Sequence, residues 1–126
     1  MKVVAMLGDG KAGLIEKPDP TPKEDFVLVK VRAVPMCTEY KGFKAGHTGD
    51  NFGHEAAGEV VEVAQPGFVQ VGDRVVVQPQ YPCGKCALCL AGEYIHCQHG
   101  RNVREITGSS TGTATYAQYL LKQVWL

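Results

Sequence analysis

The sequence predicts a mostly β domain of many short strands, with short helices and one cysteine-rich lobe. Fifteen glycines and seven prolines among 126 residues punctuate the chain too often for a helical bundle. Several short stretches alternate apolar and polar residues, which is the period of a half-buried strand. Four of the five cysteines crowd into residues 83–97, where they can brace a lobe too small to have its own core. The length suits one domain, residues 1–126, with the lobe at about 80–107 inside it. Apolar residues at 44% and charged residues at 21% are ordinary for a globular protein. Thirteen basic and thirteen acidic side chains cancel, so no bulk charge attracts nucleic acid or an anionic membrane. Residues 1–7 are too few for a signal-peptide core and no apolar run reaches membrane length, so a reducing cytoplasm is the expected location.

Taken in order, residues 2–7 read as a strand and residues 14–17 as a second. Between them, Gly8-Asp-Gly-Lys-Ala-Gly13 matches the dinucleotide fingerprint letter for letter. That fingerprint requires a helix after its last glycine, and Pro18, Pro20 and Pro22 forbid one of useful length. A hairpin turn is expected instead. Residues 26–34 alternate, placing Val27, Val29, Val31 and Ala33 on one face and Lys30 and Arg32 on the other. Pro35 ends this strand, and residues 37–44 suit one or two helical turns before Gly46. Residues 55–63 form the next strand, with Gly58 leaving room for a neighbouring backbone. Turns at residues 65–67 and 71–74 lead to a short strand at 75–78. One helical turn is expected at 90–94, then a polar loop over 102–113. Within that loop, Gly108-Ser-Ser-Thr-Gly112 lacks the lysine of a phosphate loop and reads as flexible chain. A last strand is expected at 113–121, ahead of a Trp125 that favours cover over solvent.

The cysteines carry the most specific signal. Cys83, Cys86, Cys89 and Cys97 are spaced so that short turns and one longer return bring four sulfurs around one ion. A closed thiolate tetrahedron suits zinc in a structural role, because no position is left for a substrate. His96 is an alternative fourth ligand to Cys97. An iron-sulfur cluster is a rival, since the first three cysteines open like a ferredoxin run, but Glu93 stands where its fourth cysteine belongs. Disulfides fit poorly with an odd cysteine count. A nucleic-acid-binding zinc module would want a basic face, and only Lys85, Arg101 and Arg104 lie near.

The fifth cysteine, Cys37, follows one strand, while Gly53-His54-Glu55 opens another. A thiolate and an imidazole at adjacent strand ends could share a zinc, with Glu55 tuning or holding it. Two ligands leave a tetrahedron open, which a catalytic metal requires in part. The competing reading is a small buried cysteine and a hydrogen-bonded surface histidine, and spacing alone leaves both open.

From the amino-terminal strands through Cys37, Gly53-His54-Glu55-Ala-Ala-Gly58, Val71-Gly-Asp-Arg-Val75, the cysteine lobe and Tyr116-Ala-Gln-Tyr119, the chain resembles the zinc-containing alcohol dehydrogenases of the medium-chain dehydrogenase/reductase superfamily. The resemblance implies a GroES-like, partly open β-barrel with Cys37 and His54 on a catalytic zinc, Glu55 behind it, and Cys83, Cys86, Cys89 and Cys97 on a structural zinc. It also implies hydride exchange between a small alcohol or carbonyl substrate and NAD or NADP. The family usually places Ser or Thr two residues after the catalytic cysteine and Asp next. Here those positions are Glu39 and Tyr40, with Thr38 one step early, so Glu39 or Thr38 is the expected proton carrier. The turn after Val63 also departs from the family's usual pattern, as loop variation would. The nucleotide-binding domain and the third zinc ligand are expected beyond Leu126, with no Rossmann domain in this chain and no turnover by it alone. A stand-alone zinc-stabilised binding module is the alternative. Neither nucleic acid nor membrane is an expected partner, and an oligomer is compatible with uncovered strand edges.

Overall fold

Two antiparallel sheets carry the fold in the computed structural model, which describes residues 1–108 and 111–125. In chain order the elements are β1 (Lys2–Gly8), β2 (Lys11–Glu16), β3 (Phe26–Ala33), α1 (Glu39–Lys44), β4 (Thr48–Gly49) and β5 (Ala56–Val63). Then follow β6 (Arg74–Val77), α2 (Ala87–Leu90), a 3-10 turn (Tyr94–His96), α3 (Val103–Thr107) and β7 (Tyr119–Gln123). One sheet runs β2-β1-β4 and the other β6-β5-β3-β7, so the expected mostly β, partly open architecture is what forms.

The glycine fingerprint is a hairpin. Gly8 pairs with Lys11, and Asp9 and Gly10 take φ of 50° and 66°. Two successive positive φ values make the tight turn whose twist matches the flanking strands. Pairing therefore begins at Lys11, three residues earlier than periodicity indicates.

β3 sits centrally, between β5 and β7, and is buried on both faces over Phe26–Val29. Val27 and Val29 join Ala56, Val60, Val77 and Leu120 in one core cluster. Phe26 and Leu28 join Val103 and Leu121 in a second. The expected single apolar face is therefore half of the arrangement, the other half being covered by α3. Gly58 is required by close approach, since a Cβ there would lie 2.5 Å from the Lys30 carbonyl oxygen.

Three expectations need correction. The helical turn at 90–94 lies earlier, as α2, because Gly92 with φ 82° terminates a helix and cannot sit inside one. The polar loop at 102–113 contains α3, capped by the Asn102 side chain accepting from the Arg104 amide at 3.1 Å and closed by left-handed Gly108. The flexible reading of residues 108–112 falls in part on residues 109 and 110, outside the described residues. The last strand begins at Tyr119 and not at 113, because residues 116–118 pass between the sheets. There Val4 donates to the Tyr116 carbonyl (2.8 Å) and Val31 to that of Gln118 (2.9 Å).

The cysteine lobe is tied to β7 and to the segment before β3. Buried Lys122 donates to the carbonyls of Gln78 and Gln80, and Gln123 donates to Pro82 O at 2.7 Å. Arg101 pairs with Glu24 and Asp25. Trp125 is covered as expected: its Nε1 donates to Asp25 at 3.1 Å and its ring lies 5.7 Å from that of Tyr94.

Candidate metal centres

In the lobe, one donor atom from each of Cys83, Cys86, Cys89 and Cys97 lies within 4.8 Å of the others. The sulfurs of Cys83 and Cys89 are 3.9 Å apart and those of Cys86 and Cys89 3.5 Å. A zinc tetrahedron with bonds of about 2.3 Å has edges of about 3.8 Å, so the donor set fits zinc as it stands. A disulfide would need about 2 Å, and all five cysteines are free. Backbone amides already serve the sulfurs: Cys83 N points at Cys97 Sγ and Cys86 N at Cys83 Sγ, both at 3.3 Å. His96 is exposed in the 3-10 turn and is not among the gathered donors.

The thiols are unequal before any metal arrives. Cys83 is pulled down to about 6, chiefly by the Lys85 amide, whereas burial pushes Cys89 up to about 12. Metal uptake must displace the protons that remain on the ligands. Zinc binding to the metal-free lobe at pH 7.5 is therefore expected to release fewer than four protons, since Cys83 is already a thiolate. Calorimetry in buffers of different ionisation enthalpy measures that number. Four or more per zinc would contradict the inequality.

The second constellation is assembled from two loops past the end of the β3–β5 ladder, whose last pair is Ala33 with Ala57. Cys37 lies beyond β3 and His54 and Glu55 just ahead of β5, and their donor atoms fall within 4.8 Å of one another. Cys37 and Glu55 are exposed and His54 is half-buried. Glu55 also lines an open groove of about 760 Å³ walled by Val34, Pro35, Ala57 and Val76.

Glu39 is the residue whose position spacing did not reveal. One carboxylate oxygen meets His54 Nδ1 and the other accepts from the Cys37 amide at 3.1 Å. Its side chain is only 7% exposed. With Nδ1 engaged, Nε2 is the imidazole nitrogen left to face a metal. Thr38, by contrast, is exposed at the start of α1 and makes no side-chain cap bond. Tyr116 is a second residue that periodicity treated only as one face of a strand. Its hydroxyl donates to Pro35 O at 2.9 Å and its ring stacks on Phe52 with centroids 5.0 Å apart. Its pKa is raised, first by burial and then by the charges of Glu39 and Cys37, which keeps the hydroxyl a neutral donor.

An antiparallel, incompletely closed β-domain with a four-sulfur lobe and a separate Cys-His-Glu cluster is the arrangement that the resemblance to zinc-containing alcohol dehydrogenases implies. The chain belongs to the alcohol dehydrogenase GroES-like domain family, whose profile matches residues 23–125. It is 37% identical to the sorbitol dehydrogenase of Halalkalibacterium halodurans, over 76% of this chain and 30% of that protein. It is 36% identical to the L-threonine 3-dehydrogenase of Pyrococcus abyssi, over 90% of this chain and 35% of that one. The structure of galactitol-1-phosphate dehydrogenase from Escherichia coli superposes with a TM-score of 0.73 at 28% identity, covering 98% of this chain and 36% of that chain. The chain thus spans about a third of the length of these relatives. Among the described residues no helix is long and apolar enough to cross a membrane.

Proposed function

We propose that this chain is the zinc-binding part of an NAD(P)-dependent dehydrogenase acting on a small alcohol or its carbonyl counterpart. The convergence of Cys37, His54 and Glu55 within 4.8 Å, beside an open groove, carries the reading. Three protein donors and a free position are the arrangement of a catalytic zinc site. A zinc bound there supplies Lewis-acid polarisation of the substrate oxygen. The chain's own part is to hold that site and shape its approach. Cys37 and His54 anchor the ion, Glu55 offers a further donor at the groove, and Glu39 fixes the imidazole and the Cys37 backbone together. Because both oxygens of Glu39 are engaged, it acts as a positioning residue more than as a proton carrier. Val34, Pro35, Ala57 and Val76 give the substrate an apolar wall.

On this reading the lobe's four cysteines hold the structural zinc, and residues 1–126 belong to the zinc-binding catalytic domain as an incomplete copy of it. Five free thiols fit a reducing cytoplasm. Relatives named for sorbitol, threonine and galactitol 1-phosphate support a hydroxyl-bearing metabolite as the substrate. In a protein that joins this domain to a nicotinamide-binding domain, alcohol-dependent reduction of NAD or NADP is expected, and Cys37→Ala reduces it to background. This chain alone is expected to bind metal without turnover. Full activity of the Cys37→Ala protein would refute the Cys37 centre as the catalytic site, and no alcohol-dependent reduction by the unaltered protein would leave the binding-module reading in its place.

A further inference from the structure

We infer that Tyr116 is the positioning residue that sets the separation of the two loops carrying Cys37 and His54. The inference rests on reading Cys37, His54 and Glu55 as a metal centre. Strand pairing cannot set that separation, because the β3–β5 ladder stops at Ala33 and Ala57, before either ligand is reached. Glu39 ties the ligands to each other, but it belongs to the cysteine loop itself, two residues from Cys37. An outside support is needed, and Tyr116 touches both loops just upstream of the ligands.

On the cysteine side, the Tyr116 hydroxyl donates to Pro35 O at 2.9 Å and lies 3.4 Å from Met36 Sδ. On the histidine side its ring stacks on Phe52, and its backbone amide donates to Phe52 O at 3.4 Å. Gly53 has φ 85°, and a Cβ there would overlap Tyr116 Cδ2 and the Thr115 hydroxyl. The ring therefore rests directly against the peptide that precedes His54. Tyr116 is in turn held from behind, because its carbonyl accepts from Val4 of β1 at 2.8 Å. Thr113 adds a parallel tie to the same loop, donating to Asn51 Oδ1 at 2.7 Å. The tyrosine is thus a strut from the first sheet to both ligand loops. Its hydroxyl makes the hydrogen bond to the cysteine loop, so Tyr116→Phe cuts that tie and leaves the stack on Phe52.

The test is cobalt(II) titration of the metal-free chain, which reports the two centres separately. A four-thiolate site gives stronger sulfur-to-cobalt charge-transfer absorbance per ion than a site with one thiolate, and the lobe serves as an internal control. In Tyr116→Phe the cobalt affinity of the Cys37 centre is expected to fall about threefold to tenfold, the effect of one neutral hydrogen bond. Its charge-transfer band is expected to change while the lobe's spectrum and affinity do not. Tyr116→Leu, which also removes the stack, is expected to lose more. Wild-type behaviour of Tyr116→Phe at both centres would overturn the inference, as would equal weakening of both, which means general loosening. A wild-type chain that takes up only the lobe's cobalt would overturn the metal-centre reading itself.

Discussion

Cys89→Ala is expected to unfold the cysteine lobe and remove most of the chain's thermal stability. α2 has four residues and the following 3-10 turn three, far below the roughly 12 at which a helix holds itself together in water. Nor does apolar burial compensate, since Leu90 and Ile95 are 76% and 69% exposed. Among residues 83–97 the one buried side chain is that of Cys89. Structural zinc binding is worth about 10–16 kcal/mol in small zinc-folded peptides, against about 5–15 kcal/mol for a whole domain's stability. Losing the metal would therefore remove an amount comparable to the entire margin, and deleting the lobe's buried ligand is the most direct way to weaken its hold. The damage spreads because Lys122, Gln123, Trp125 and Arg101 tie the lobe to the core. Thermal melts should show a large fall in Tm for the variant and for wild type stripped with a strong chelator. Unchanged melting in both would show that the lobe stands without metal.

Glu39→Ala is expected to weaken zinc at the Cys37 centre by about 10–100-fold, the usual effect of deleting a group that orients a metal-bound histidine. The variant frees His54 Nδ1 to turn and releases the Cys37 amide at once. Glu39→Gln should fall between, since an amide oxygen replaces only one of the two acceptors and carries no charge. Competition against a chromophoric chelator reads the affinity. Equal zinc affinity in wild type and Glu39→Ala would mean that the carboxylate contacts are incidental.

Much of this was legible because local chemistry and tertiary structure agree. Alternation places β3 and β5 to within a residue, and the prolines after Gly13 correctly demote a glycine pattern to a hairpin. The four-cysteine spacing brings together the donors that the fold gathers. What was not legible depends on contacts remote in sequence. The second face of β3 is buried only because α3 and β7 arrive later in the chain, and no alternation records that. Residues 113–118 alternate like a strand yet serve as a crossing between sheets. α3 did carry a signal, an asparagine cap and a terminal glycine around Val103–Thr107, hidden by its polar surroundings. Glu39 was legible only as a proton carrier implied by the resemblance, and Tyr116 only as part of a matching motif; neither showed its supporting contacts. A carboxylate one turn into a helix and an aromatic in an alternating run become supports only when two loops close around them.

The proposed function requires two unlike metal centres in one chain, one closed by four sulfurs and one left open by Cys37, His54 and Glu55. Zinc counting by native mass spectrometry during stepwise chelation tests this directly. One zinc should resist and a second should leave early, with Cys37→Ala removing only the second. Two ions of equal resistance, or an early-leaving ion that persists in Cys37→Ala, would contradict it.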